Sequence, residues 1–225
     1  MKPFRTYLLV FLLLAGCASK VAPPPAPAPV DTGMAWYQRA AQAGKKVYAI
    51  DAAQSLITIT VRRGGALARL GHDHVIASRT LQGFVAPDAG RADFHFRLDQ
   101  MSVDEPALRT AAGLDTQPSA DAIEGTRTNM LNRVLEAERF PVVMLHVERL
   151  VQAGLMRLTV TLHGVARTID VPVKLDQAAS KLAASGSLTL LQSEFGITPM
   201  SVMGGAMTVQ DRMELQFAIV ARAER

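Results

Sequence analysis

Two histidines in Arg69-Leu70-Gly71-His72-Asp73-His74 have the spacing that most readily supports chemistry. If residues 71–76 are extended, His72 and His74 project to one face and Asp73 to the other. Such a pair can give two nitrogen ligands to zinc or copper. A third would have to come from His95, His146, His163 or a carboxylate, and the linear spacing supplies none, so no metal ligand is assigned. The pair can equally meet the polar head of a bound molecule, a contact made pH-sensitive by imidazole titration near neutrality. A structural pair, bonded to backbone and to Asp73, is the third reading. Nucleophile chemistry is scarcer. Cys17 is the only cysteine, which excludes an internal disulfide. Gly-x-Ser-x-Gly, Walker and His-Glu-x-x-His motifs and a dinucleotide fingerprint are all missing from the sequence. Asp104-Glu105 reads as a solvated loop pair. The expectation is a protein that is not an enzyme.

Cys17 closes a patterned N-terminus. Lys2 and Arg5 precede an apolar run from Tyr7 to Leu14, then Leu14-Ala15-Gly16-Cys17. The run is too short to span a bilayer as a helix. It resembles the lipobox of bacterial lipoproteins. That resemblance implies a signal peptide over 1–16, diacylglycerol on the Cys17 sulfur and a fatty acyl chain such as palmitate on its nitrogen. Two or three chains, at roughly 0.8 kcal/mol per buried CH₂, hold a protein stably on a membrane. It also implies a periplasmic location, and Ala18 after the cysteine points to the outer rather than the inner membrane. Residues 17–46 then comprise the lipidated cysteine, a linker and a short helix. Pro-rich residues 21–30 suit polyproline II, which at about 3.1 Å per residue spans roughly 30 Å. Asp31 or Thr32 can cap a helix through Met34, Trp36 and Tyr37 that ends at Gly44, packed on the domain or part of the stalk. The formal charge of +4 falls to +2 once Lys2 and Arg5 leave. Without a block of basic residues interleaved with aromatics, nucleic acid is not an expected partner.

From residue 47 to 225 the texture is that of strands. β-Branched and alternating runs occur at 48–50, 56–61, 74–78, 80–86, 91–99, 142–151, 155–163, 168–175, 181–191 and 207–221. Gly64-Gly65, Pro87-Asp88-Ala89-Gly90, Ala153-Gly154, His163-Gly164 and Gly204-Gly205 punctuate them. Many closely spaced strands without alternating helices predict an all-β antiparallel barrel or sandwich. One helix is inserted at Ser119–Glu138, with Ile123, Met130, Val134 and Leu135 on one side. Alternation sends Phe94, Phe96 and Leu98 to one face and His95 and Arg97 to the other. Val171, Val173 and Leu175 behave likewise, as do Met213, Leu215, Phe217 and Ile219. An eight-stranded barrel either fills itself or encloses one small ligand. Ala184, Gly186, Thr58 and Thr60 are the small inward candidates that would leave room.

Four stretches then carry a family resemblance: Val47 to Ser55, Asn129 to Pro141, Leu158 to Arg167, and Ser193-Glu194-Phe195-Gly196-Ile197. Together they resemble the YceI-like family. The resemblance implies a lipocalin-like antiparallel barrel of about eight strands holding a polyisoprenoid or other long-chain apolar molecule, and often a homodimer. Gln54 and Arg63 depart from it, standing where many members carry histidine. The resulting expectation is a membrane-anchored periplasmic protein that sequesters or carries a polyisoprenoid, quinone or fatty amide or acid. Phe94, Phe96, Val173, Leu215 and Phe217 would line the site, with His72 and His74 as head-group candidates. No cofactor is expected beyond that bound lipid. A metal protein using His72 and His74 and a ligand-free envelope-stress module are the alternatives.

Overall fold

The computed structural model describes residues 33–114 and 116–223. The lipobox with Cys17, the proline-rich run, Asp31 and Thr32 lie outside them. Among the described residues thirteen strand segments form: β1 (Tyr48–Ile50), β2 (Leu56–Gly64), β3 (His74–Ser78), β4 (Gln82–Ala86), β5 (Arg91–Arg97), β6 (Ser102–Val103) and β7 (Val142–Arg149). β8 (Leu155–Leu162), β9 (Val165–Pro172), β10 (Lys174–Gln177), β11 (Lys181–Leu191), β12 (Ser201–Val202) and β13 (Met207–Ala223) follow. Every pairing is antiparallel, within one sheet.

Twelve of the segments reduce to eight strand positions, and β12 is a short partner of the start of β13. β1 and β2 both pair with β13 and are one strand broken by a 3₁₀ turn at Ala52–Gln54. β4 and β3 pair beside them, and β5 and β6 beside those. β7, β8 and β9 continue the ladder. β9 runs on into β10, which pairs with β11, and β11 pairs with β13 where the ladder began. The sheet therefore curls into an antiparallel, lipocalin-like barrel. The run expected as one strand over 168–175 is broken at Val173, because β9 and β10 serve different neighbours.

Among the described residues three α-helices decorate the barrel. α1 (Met34–Gln42) packs on its outer face, which settles the choice left open by the sequence. Tyr37 is buried there, stacked on Phe84 with ring centroids 5.5 Å apart, and its hydroxyl donates to Asp93 at 2.7 Å. Burial first, and then Asp93, pushes that phenol well above the usual tyrosine range. α2 (Pro106–Ala111) is short, starts at a proline and was not anticipated. α3 (Ala120–Asn129) begins where Ser119 accepts a hydrogen bond from the Ala122 amide at 3.2 Å. It runs into a π-helical turn at Met130–Val134, so the helix ends short of Glu138.

Strand alternation sets the inner face. Ile57, Ile59 and Val61 point into the barrel, so Thr58 and Thr60, expected inside for their size, point out. Gly186 faces inward opposite Phe217. A Cβ there would stand 2.7 Å from the Phe217 ring and 2.8 Å from the Pro172 carbonyl oxygen. Glycine at 186 is what leaves room for that ring.

Candidate functional site

The barrel is not filled by its own side chains. Its interior encloses a cavity of about 350 Å³, within the range of small-ligand sites, about 300–1,000 Å³. Each strand contributes by its period of two. β2 gives Ile57, Ile59 and Val61; β5 gives Ala92, Phe94 and Phe96; β7 gives Val143, Leu145 and Val147. β8 gives Met156, Leu158, Val160 and Leu162, and β13 gives Met213, Leu215, Phe217 and Ile219. Val171, Val173, Leu175 and Ala184 complete the circuit. The structure thus places Phe94, Phe96, Val173, Leu215 and Phe217 on one cavity wall.

α3 and its π-turn, with Thr126, Asn129, Met130, Val134 and Leu135, close part of one end. The apolar side of this helix is legible in the sequence; the cavity that it faces is not. Polar lining is confined to the ends. Arg91 and Arg149 lie at one; His74, Thr126, Asn129 and Gln192 lie at the other. A middle that offers water no partners and ends that do will orient an elongated molecule with an apolar body.

His74 is the best-defined polar group on the wall. Its Nδ1 lies 2.6 Å from Oδ2 of Asp104, a carboxylate with no exposed surface. Asp104 also accepts from the Val75 amide at 3.0 Å and from Arg109 Nη1 at 2.6 Å. Arg109 is equally buried and donates further to the Asp73 carbonyl at 2.8 Å and to Thr116. Burial alone would raise the Asp104 carboxyl, but His74, the Val75 amide and Arg109 outweigh it and hold it below the usual carboxylate range. An ionised Asp104 can only accept, so Nδ1 of His74 carries the proton and donates. In the neutral ring Nε2 is then an acceptor.

This corrects two expectations. Asp104 is not part of a solvated pair, and His74 is held by Asp104 rather than by Asp73. Asp73 turns away to accept from the Arg63 amide at 2.9 Å and pair with Arg62. Asp104 sits at φ 56° and meets Arg109 by way of α2. Only its position before Glu105-Pro106 hinted at a helix start, and nothing in the sequence marked Arg109 as buried.

His72 is not on the cavity wall. Its ring lies 6.3 Å from that of His74, and its Nδ1 is buried without a protein partner. The other histidines are elsewhere. His146 bonds Asp93 at 2.6 Å, and His95 shares that outer face, where burial pushes its imidazole down. His163 lies at 3.3 Å from both the Phe195 carbonyl and Glu136. Among the described residues, no three His, Cys, Asp or Glu side chains gather where they could hold a metal.

Comparison with known proteins adds the following. A family model described as YceI-like domain matches residues 48–221. A polyisoprenoid-binding domain from Saccharophagus degradans, implicated in plant cell wall breakdown, superposes with a TM-score of 0.57 at 14% identity, covering 79% of this chain and 98% of that one. BcnA from Burkholderia cenocepacia superposes with a TM-score of 0.52 at 15% identity, covering 76% and 98%. At such identities the likeness is one of fold. No curated protein sequence matches the chain.

Proposed function

The chain belongs to the YceI-like family, and on that premise we propose that it binds a long-chain apolar molecule inside its barrel. The ligand class is a polyisoprenoid, a quinone or a fatty amide or acid. The observation that carries this reading is the apolar wall around the middle of a cavity of about 350 Å³. The Saccharophagus domain, described as polyisoprenoid binding, adds support from a protein of the same fold.

The energetics suffice. Burying a five-carbon isoprene unit gives at most ~4 kcal/mol, at ~0.8 kcal/mol per carbon. Association and chain ordering cost several kcal/mol or more, yet a few units still reach micromolar affinity, about −8 kcal/mol. Phe94, Phe96, Val173, Leu215 and Phe217 contact the chain. His74, oriented by Asp104, meets the polar head. Lipidated Cys17 and the proline-rich linker hold the barrel near the periplasmic side of the outer membrane, where its ligand is concentrated.

The test is uptake of a fluorescent polyene. Phe94→Arg places a charge in the wall and should abolish the fluorescence gain while the far-ultraviolet spectrum stays that of β-sheet. Undiminished uptake by the folded variant would remove Phe94 from the site.

A further inference from the structure

At the end of the barrel that holds His74, two loops are tied into one projection. One is the β2–β3 connection, residues 65–73; the other is the β12–β13 turn, residues 203–206. The Leu67 amide donates to the Ala206 carbonyl at 2.8 Å, and the Gln210 side chain donates to the Arg63 carbonyl at 3.0 Å. Gly65 has φ +86°, and a Cβ there would lie 2.5 Å from the Ala206 carbonyl oxygen. Only glycine permits so close an approach.

This braced tip is apolar where it meets solvent. Leu70 is 57% exposed, Met203 is 66% exposed and Val202 is 36% exposed. They are three of the seven large apolar side chains that are exposed among the described residues. Met203 is held at φ +53°, a left-handed conformation uncommon outside glycine and asparagine. A backbone held in that region with its thioether in water invites a functional explanation. Arg69 beside Leu70 is exposed and makes no ion pair among the described residues. Arg62 and Arg63 below it are paired with Asp73 and Glu214, so Arg69 is the cation that the tip presents.

The cavity wall reaches the base of the same tip through Met200, Val209 and His74. We infer that the tip docks on an anionic phospholipid surface, with Leu70, Val202 and Met203 in the acyl–headgroup boundary and Arg69 against the headgroups. A braced apolar projection with the unpaired Arg69 at its edge suits that interface. Its use in loading the cavity rests on the carrier reading; the docking itself does not. An apolar chain could then pass from bilayer to barrel along a path shielded from water.

The experiment asks which end of the barrel faces lipid. In the full chain carrying Cys17→Ser, a bimane probe is attached at Met203→Cys or, at the fully exposed β7–β8 turn, at Val151→Cys. Vesicles of 30% phosphatidylglycerol and 70% phosphatidylcholine carry nitroxide in their acyl chains. At least twofold quenching at 203, and little at 151, is expected. Leu70→Glu should abolish the difference. Arg69→Glu should weaken quenching on these vesicles but not on pure phosphatidylcholine. Equal quenching at both positions, none at 203, or a lipid-independent shift that grows with protein concentration would overturn docking; the last would mark the tip as a contact between copies. Polyene loading from solution, read on the same samples, separates the two ideas: a quenched tip on a protein that loads no polyene keeps docking and removes the carrier reading.

Discussion

His74 and Asp104, thirty positions apart in the chain, are joined by a 2.6 Å hydrogen bond that fixes which imidazole nitrogen is left for the cavity. The carboxylate takes Nδ1, so Nε2 is the atom available to a ligand, and His74, the Val75 amide and Arg109 together let Asp104 stay ionised without solvent.

Asp104→Ala should be strongly destabilising. It leaves Arg109 buried without a counter-charge, which costs about 3–5 kcal/mol in comparable sites. Urea unfolding measures the loss; a change below about 1 kcal/mol would mean that water reaches Arg109.

Acid should erode stability through the same residue. The Asp104 carboxyl is held below its ordinary 3.8 in the folded chain. A depressed folded value means that the linked stability is complete above the ordinary value and drains as pH falls through the lower one. The free energy of unfolding should therefore decline from about pH 4 downward, and less steeply in Asp104→Asn. Parallel declines in the two proteins would assign the acid sensitivity elsewhere, Asp93 being the next candidate.

Replacing His74 should distinguish head from tail. His74→Ala removes one hydrogen bond, worth about 0.5–1.5 kcal/mol, or roughly two- to tenfold in affinity for a prenyl alcohol or quinone. Binding of the parent hydrocarbon should not change. Equal losses for both would make His74 a packing residue.

Gly186→Ala tests how the wall is built. The added methyl would meet the Phe217 ring and the Pro172 carbonyl oxygen, the second being backbone that cannot swing aside. A destabilisation of about 1–3 kcal/mol follows from overpacking, with altered ligand affinity as Phe217 shifts. Unchanged thermal unfolding would show that β9 yields at that point.

Cys17 is tested at the mature terminus. Mass spectrometry of protein extracted from its own membrane should find the chain beginning at Cys17 with the added mass of diacylglycerol and an acyl chain. An unmodified cysteine, or a start elsewhere, would remove the anchor from the proposal.

Much of the cavity wall was legible because its chemistry is local. In Phe94-His95-Phe96-Arg97-Leu98 the alternation of apolar with polar leaves one inward face, and the structure follows it. The same holds for Met213 to Ile219 on β13. On β2 the rule failed only where size was put ahead of polarity: Ile57, Ile59 and Val61 turn inward, and the smaller Thr58 and Thr60 do not. What could not be read is what depends on distant pairing. Asp104 looked solvated because its partners, His74 and Arg109, reach it only once β3, β6 and α2 have assembled. The side of α3 was legible, but whether it met packed side chains or empty space depended on the closed sheet.

The most direct measurement is native mass spectrometry with solvent extraction of the protein purified from its own membrane. The carrier reading predicts one extractable long-chain apolar molecule per barrel, displaced when Ala184→Phe fills part of the cavity. Protein that carries no lipid and takes up no polyene, or that carries stoichiometric zinc or copper lost in the His72→Ala, His74→Ala double variant, would contradict it.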